Sequence, residues 1–115
     1  MVVRDDSMRP GLAPGDRLWV DPRPGRPLVL GDIVVLRDPE APGRLLVKRI
    51  VGLEGDRPGL GAPLPEGSVY LEGDNPDLSR DSRSFGPVRL RTIVGLVWFR
   101  YAPASRRGPL TTKFK

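Results

Sequence analysis

The chain has no histidine and no cysteine, so the two side chains most often used as base and nucleophile are both missing. Its 19 basic residues are all arginine except Lys48, Lys113 and Lys115. A guanidinium with a pKa above about 12 cannot accept a proton at neutral pH. A buried lysine can, because desolvation disfavours its charged form and lowers its pKa by as much as about 3–5 units. Lys48 is the one lysine away from the C-terminal end, and Ser7, in Asp6-Ser7-Met8-Arg9-Pro10-Gly11-Leu12, is a candidate partner. The polar run from Gly73-Asp74-Asn75 to Asp81-Ser82-Arg83 adds hydroxyls and carboxylates in a short space. Together these are the parts of a serine/lysine hydrolase.

The elements that would position them are strands. Gly and Pro, 14 of each, fall between short apolar runs, which is the punctuation of turns and not of a low-complexity tract. The pattern predicts an all-β fold of mainly antiparallel strands with long loops, with strands at 17–20, 32–36, 45–53, 68–72 and 93–101. Gly15-Asp16, Gly31-Asp32, Gly55-Asp56 and Gly73-Asp74 read as turns abutting strands. No window supports a helix beyond a single turn after Ser7. In the third strand, alternation places Lys48 on one face with Leu46 and Ile50, and Arg49 on the other with Val47 and Val51. That surrounds Lys48 with aliphatic carbon, although a strand lysine also serves as an edge residue whose amine reaches water. Ser7 reads equally as a turn or helix-cap residue, and the loop at 73–86 as a self-bonded turn in which Asn75 and Asp77 cap the backbone and Asp81 pairs with Arg83.

At 115 residues the chain fits one domain. We expect a single peptidase domain over 1–102 and a basic, disordered tail over 103–115. The net charge of +5 suggests nucleic acid, but acids and arginines are interspersed, so no nucleic-acid partner is expected. Without cysteine or histidine, neither disulfides nor a metal site is expected. No apolar stretch approaches the roughly 20 residues that cross a bilayer, so the expectation is a protein with no membrane partner, placed in the cytoplasm.

Taken in order, the three segments resemble the signal peptidase I family of serine/lysine proteases. The resemblance rests on Ser7-Met8-Arg9-Pro10-Gly11-Leu12 with Gly15-Asp16, on Gly31-Asp32-Ile33-Val34-Val35, on Lys48-Arg49-Ile50-Val51-Gly52-Leu53-Glu54-Gly55-Asp56, and on Gly73-Asp74-Asn75 through Ser79, Asp81-Ser82-Arg83 and Phe85-Gly86. It implies Ser7 as nucleophile, Lys48 as general base and Ser79 as the hydroxyl that orients the lysine amine. It implies an oxyanion donor in the backbone N–H of Ser7, with Asp5 and Met8 beside the substrate. Asp81 with Arg83, and Asp74 with Arg49 next to Asn75, would hold the loop in place. Asp5 is a departure: many members carry a serine or a glycine there, and an ionised carboxylate cannot donate to an oxyanion.

Six residues before Ser7 and a short connection between the last two motifs resemble the soluble proteases that mature nickel-containing superoxide dismutase. The implied partner is a precursor with an N-terminal leader, that dismutase precursor being the favoured substrate, and no cofactor is needed. A soluble catalytic fragment of a membrane-anchored signal peptidase would look the same, and would be membrane-associated in its intact form. Readings from another class are a self-cleaving regulatory domain and an inactive peptide-binding module, the latter motivated by Asp5.

Overall fold

The computed structural model describes residues 1–110. Among these, a single sheet of seven strands dominates, and the all-β expectation holds. The strands are β1 (Arg17–Asp21), β2 (Ile33–Asp38), β3 (Ala41–Gly52), β4 (Ser68–Glu72), β5 (Val88–Arg89), β6 (Ile93–Ala102) and β7 (Gly108–Pro109). They lie in the order β1-β6-β2-β3-β4-β5, with β7 on β6, and every pairing is antiparallel.

The central strand β2 is buried from Ile33 to Leu36, so both faces of the sheet are covered. Val34 and Leu36 pack with Leu46, Ile50, Val69 and Leu71. Ile33 and Val35 join Met8, Leu12, Leu18 and Val97 on the other side. That second cluster holds the Ser7 segment down, since Met8 and Leu12 flank the turn closed by Leu12 N–H donating to Met8 O, 2.9 Å. Upstream, Val3 N–H donates to Asp16 O and Gly15 N–H to Val3 O, both 2.8 Å, which fixes the chain entering Ser7.

Three expectations needed correction. β3 begins at Ala41, not at 45, because Pro42 and Gly43 extend an outlying end of the strand, where proline does not interrupt a ladder. A short helix, α1 (Ser82–Phe85), follows Asp81, whose carboxylate caps it by accepting from Arg83 N–H. The tail does not leave the domain at 103. Residues 104–106 form a 3-10 turn, Gly108–Pro109 pair with β6, and Leu110 N–H donates to Trp98 O. Arg106 reaches the buried Asp16 at 2.6 Å, joined by Arg100 at 3.2 Å, so this part of the tail is tied by ion pairs. The remainder of the expected tail lies outside the described residues.

Candidate active site

Lys48 stands on β3 opposite Val34, between Leu46 and Ile50, and is 2% exposed. Burial pushes its pKa down from the ordinary lysine value, with the charges of Asp5 and Asp81 opposing this and those of Arg80 and Arg83 assisting. Its Nζ donates to Ser7 Oγ at 2.9 Å across 41 positions of sequence. Ser7 is itself 5% exposed. The two residues singled out for their chemistry are thus in direct contact, in the protected setting a neutral lysine needs.

Asp5 completes the contact in an unexpected way. Its Oδ1 accepts from Ser7 Oγ at 2.8 Å and from Ser7 N–H at 3.0 Å. Burial raises the Asp5 pKa, but the two Ser7 hydrogen bonds and the charges of Lys48 and Arg44 outweigh it and hold the group below the usual carboxylate value.

The loop after β4 clamps Ser7. Asn75 N–H donates to Ser7 O at 2.9 Å, and Asn75 Nδ2 donates to Asp6 O at 3.0 Å. A Cβ on Gly73 would lie 2.6 Å from Ser7 O and 2.2 Å from Ser79 Oγ, so only glycine admits this approach. Asp74 makes a two-pronged bond with Arg49, both contacts 2.8 Å, while Arg49 Nη1 donates to Gly31 O at 2.7 Å. Asp81 is fully buried and accepts from Gly73 N–H, from Ser79 Oγ and from Arg83. Burial opposes its ionisation, yet these bonds hold its carboxyl far below the ordinary carboxylate range.

Ser79 is where the geometry departs from the implied roles. Its hydroxyl donates to Asp81 Oδ2 at 2.6 Å, and among the described residues it makes no hydrogen bond to Lys48. It lies beside Ser7, across Gly73, as a support of the loop. Sequence reasoning also passed over Asp38 and Arg80. Arg80 binds the buried Asp38 and exposed Glu40, linking the loop to the β2–β3 hairpin, and its charge acts on Lys48. A buried aspartate at a strand end is the signal that could have found this pair.

A groove of about 440 Å³ opens over Ser7 and Lys48, walled on one side by residues 1–5 and Met8 and on the other by Arg44 to Val47. β4 pairs with β3 only over Arg49, Ile50 and Gly52, so among the described residues the β3 edge before Arg49 has no partner on that side. No cluster of metal-binding side chains occurs among the described residues.

A small antiparallel β domain that holds a buried amine against a serine hydroxyl, at the floor of a groove with an open strand edge, has the make-up of a peptide hydrolase. The chain belongs to the signal peptidase family, peptidase S26, whose sequence profile matches residues 1–60 and 57–102. It is 43% identical over 89 residues to mitochondrial inner membrane protease subunit 1 of Xenopus tropicalis, covering 70% of this chain and 53% of that protein. It is 44% identical over 92 residues to mitochondrial ATP-independent inner membrane protease subunit 1a of Arabidopsis thaliana, covering 70% and 55%. The chain thus spans about half the length of the curated relatives it matches. Relatives named for a mitochondrial inner membrane overturn the expected cytoplasmic placement. Among the described residues no helix is long and apolar enough to cross a membrane.

Proposed function

We propose that this chain is a serine endopeptidase that removes an N-terminal leader from a precursor protein, with Ser7 as nucleophile and Lys48 as general base. The observation that carries the reading is the 2.9 Å contact between a buried lysine amine and a serine hydroxyl beneath an open groove, in a chain of a signal peptidase family. Neutral Lys48 takes the Ser7 proton as Oγ attacks the scissile carbonyl, then returns it to the leaving amine. Ser7 N–H, which donates to Asp5 Oδ1 in the resting site, would serve the resulting oxyanion once that carboxylate is displaced. The unpaired β3 edge suits a leader bound extended, by backbone pairing, with alternate side chains entering the groove near Met8. Neither the site nor the relatives point to the nickel superoxide dismutase precursor, so the reading goes no finer than a leader-bearing precursor.

The test is incubation of the purified chain with peptides spanning a leader junction, followed by mass analysis of the cut and a pH profile. Because Lys48 must be neutral to act and its pKa is lowered, kcat/KM is expected to rise with pH along a limb whose midpoint lies below the ordinary lysine value of 10.5. A rate flat with pH, or one falling as pH rises from neutral, would contradict lysine as the base.

The clamp on the nucleophile makes a second prediction. Asn75→Ala removes the carboxamide donor to Asp6 O but keeps the backbone bond to Ser7 O. The expected loss in kcat/KM is about 3- to 10-fold, the worth of one hydrogen bond, with little change in melting temperature. An unchanged rate would show that the backbone bond alone sets the Ser7 position.

A further inference from the structure

One oxygen, Asp5 Oδ1, accepts from both donors of Ser7 that peptide hydrolysis requires, the hydroxyl at 2.8 Å and the backbone N–H at 3.0 Å. An ionised carboxylate only accepts, so the Ser7 proton lies on the Asp5 side. Lys48 must then be the donor in its 2.9 Å contact with Oγ. The chain of donors runs Lys48 to Ser7 to Asp5, the reverse of the direction that base catalysis needs. The same oxygen fills the position that a substrate carbonyl oxygen must take to reach Ser7 N–H.

We propose that Asp5 is a built-in gate: in the resting enzyme its carboxylate occupies the carbonyl-binding position and turns the Ser7 proton away from Lys48, and a bound precursor must displace it before cleavage. This rests on the assignment of Ser7 and Lys48 above. Asp5 lines the groove with Arg4 and Arg44, so an extended chain entering there meets the carboxylate directly. Once the carbonyl oxygen replaces Oδ1, the hydroxyl is free to rotate towards Lys48. The negative charge beside Lys48 also favours the protonated amine, so displacement unblocks both groups together. The gate selects for substrates whose groove contacts are strong enough to move it, and leaves stray peptide bonds uncut.

A gate of this kind taxes binding and leaves the chemical step alone, so its removal is expected to lower KM with kcat nearly unchanged. Asp5→Gly and Asp5→Ala, neither of which adds a hydrogen-bond donor at the oxyanion, are compared with the unaltered chain on the same leader peptide. The expected rise in kcat/KM is on the order of 10- to 100-fold, from two hydrogen bonds to a carboxylate that is exposed and so exchanges them partly against water. Asp5→Asn, which can still accept but carries no charge, is expected to fall between. A peptide boronic acid, whose boron bonds to Ser7 Oγ while one oxygen takes the carbonyl position, is expected to bind tighter to the glycine variant by a similar factor. Thermal melts of both small-residue variants separate gating from misfolding. An unchanged or lower kcat/KM in variants that fold, or a rise carried by kcat alone, overturns the gate while leaving the protease reading standing. If neither the unaltered chain nor any variant cleaves, and the boronic acid does not bond to Ser7, the protease reading falls and the gate with it.

Discussion

Replacing Lys48 by methionine, or Ser7 by alanine, is expected to reduce peptide cleavage by about 10⁴-fold or more while the domain stays folded. Each substitution removes one half of a unit that works only as a pair, so the two losses should be similar and the double variant little worse than either. Methionine is the informative replacement at position 48 because the site is 2% exposed, and an unbranched apolar chain fills the space between Leu46 and Ile50 without charge. Lys48→Arg keeps a cation and removes the base, and should be equally inactive. The measurement is single-substrate turnover by mass analysis, with melting curves beside it. Substantial turnover by either variant would rule out the pair.

The largest effect on stability is expected at Asp81. Asp81→Ala strands the Gly73 N–H and the Ser79 hydroxyl and frees the Arg83 guanidinium, all of which now share one fully buried carboxylate. The buried Gly73 N–H and the half-buried Ser79 hydroxyl lose their acceptor while the exposed Arg83 returns to water, at a cost of about 2–3 kcal/mol, enough to lower the melting temperature of a domain this size by about 10 °C. Asp81→Asn keeps one acceptor oxygen and should cost about half as much. The same residue gives the domain an acid limb. Folding lowers the Asp81 pKa, so the unfolded chain binds the proton more readily. Its stabilisation is fully present above the unfolded value, near pH 4, and is lost as pH falls below it. Denaturant titrations at descending pH, run on the alanine variant as well, check this: that variant should lack Asp81's share of the acid-dependent loss, while Asp5 and Asp38, also held below the usual carboxylate value, keep theirs. A melting change under about 2 °C would show that Ser79 and Arg83 find other partners.

The residues of the candidate pair were legible because the composition leaves few alternatives. With histidine and cysteine absent and one lysine inside a strand, Lys48 had to be weighed as a base, and alternation already gave it aliphatic neighbours. Strand positions were equally readable, because Gly-Asp turns mark their ends; Gly15, Gly31 and Gly55 take left-handed conformations there. What escaped the sequence depends on choices among partners. Ser79 had two polar neighbours available, and the carboxylate two residues on took its hydroxyl. Asp5 had to turn inwards or outwards, and only the packed loop shows it accepting from Ser7. The order of the tail rests on Arg106 meeting Asp16 across 90 positions, which no local pattern records.

The clamp on Ser7 has a consequence for how the molecule comes into being. Ser7 meets Lys48 41 positions on, the asparagine that fixes its carbonyl follows in the loop after β4, and Arg100 reaches Gly11 O across 89 positions. Contacts between such distant stretches form late, because each closes a long loop and gains nothing until both ends are in place. A partly synthesised chain carries Ser7 with neither Lys48 nor Asn75 to aim it. On the proposed reading, cleaving power is therefore among the last properties this chain acquires as it folds, since it waits on strands that close the sheet late.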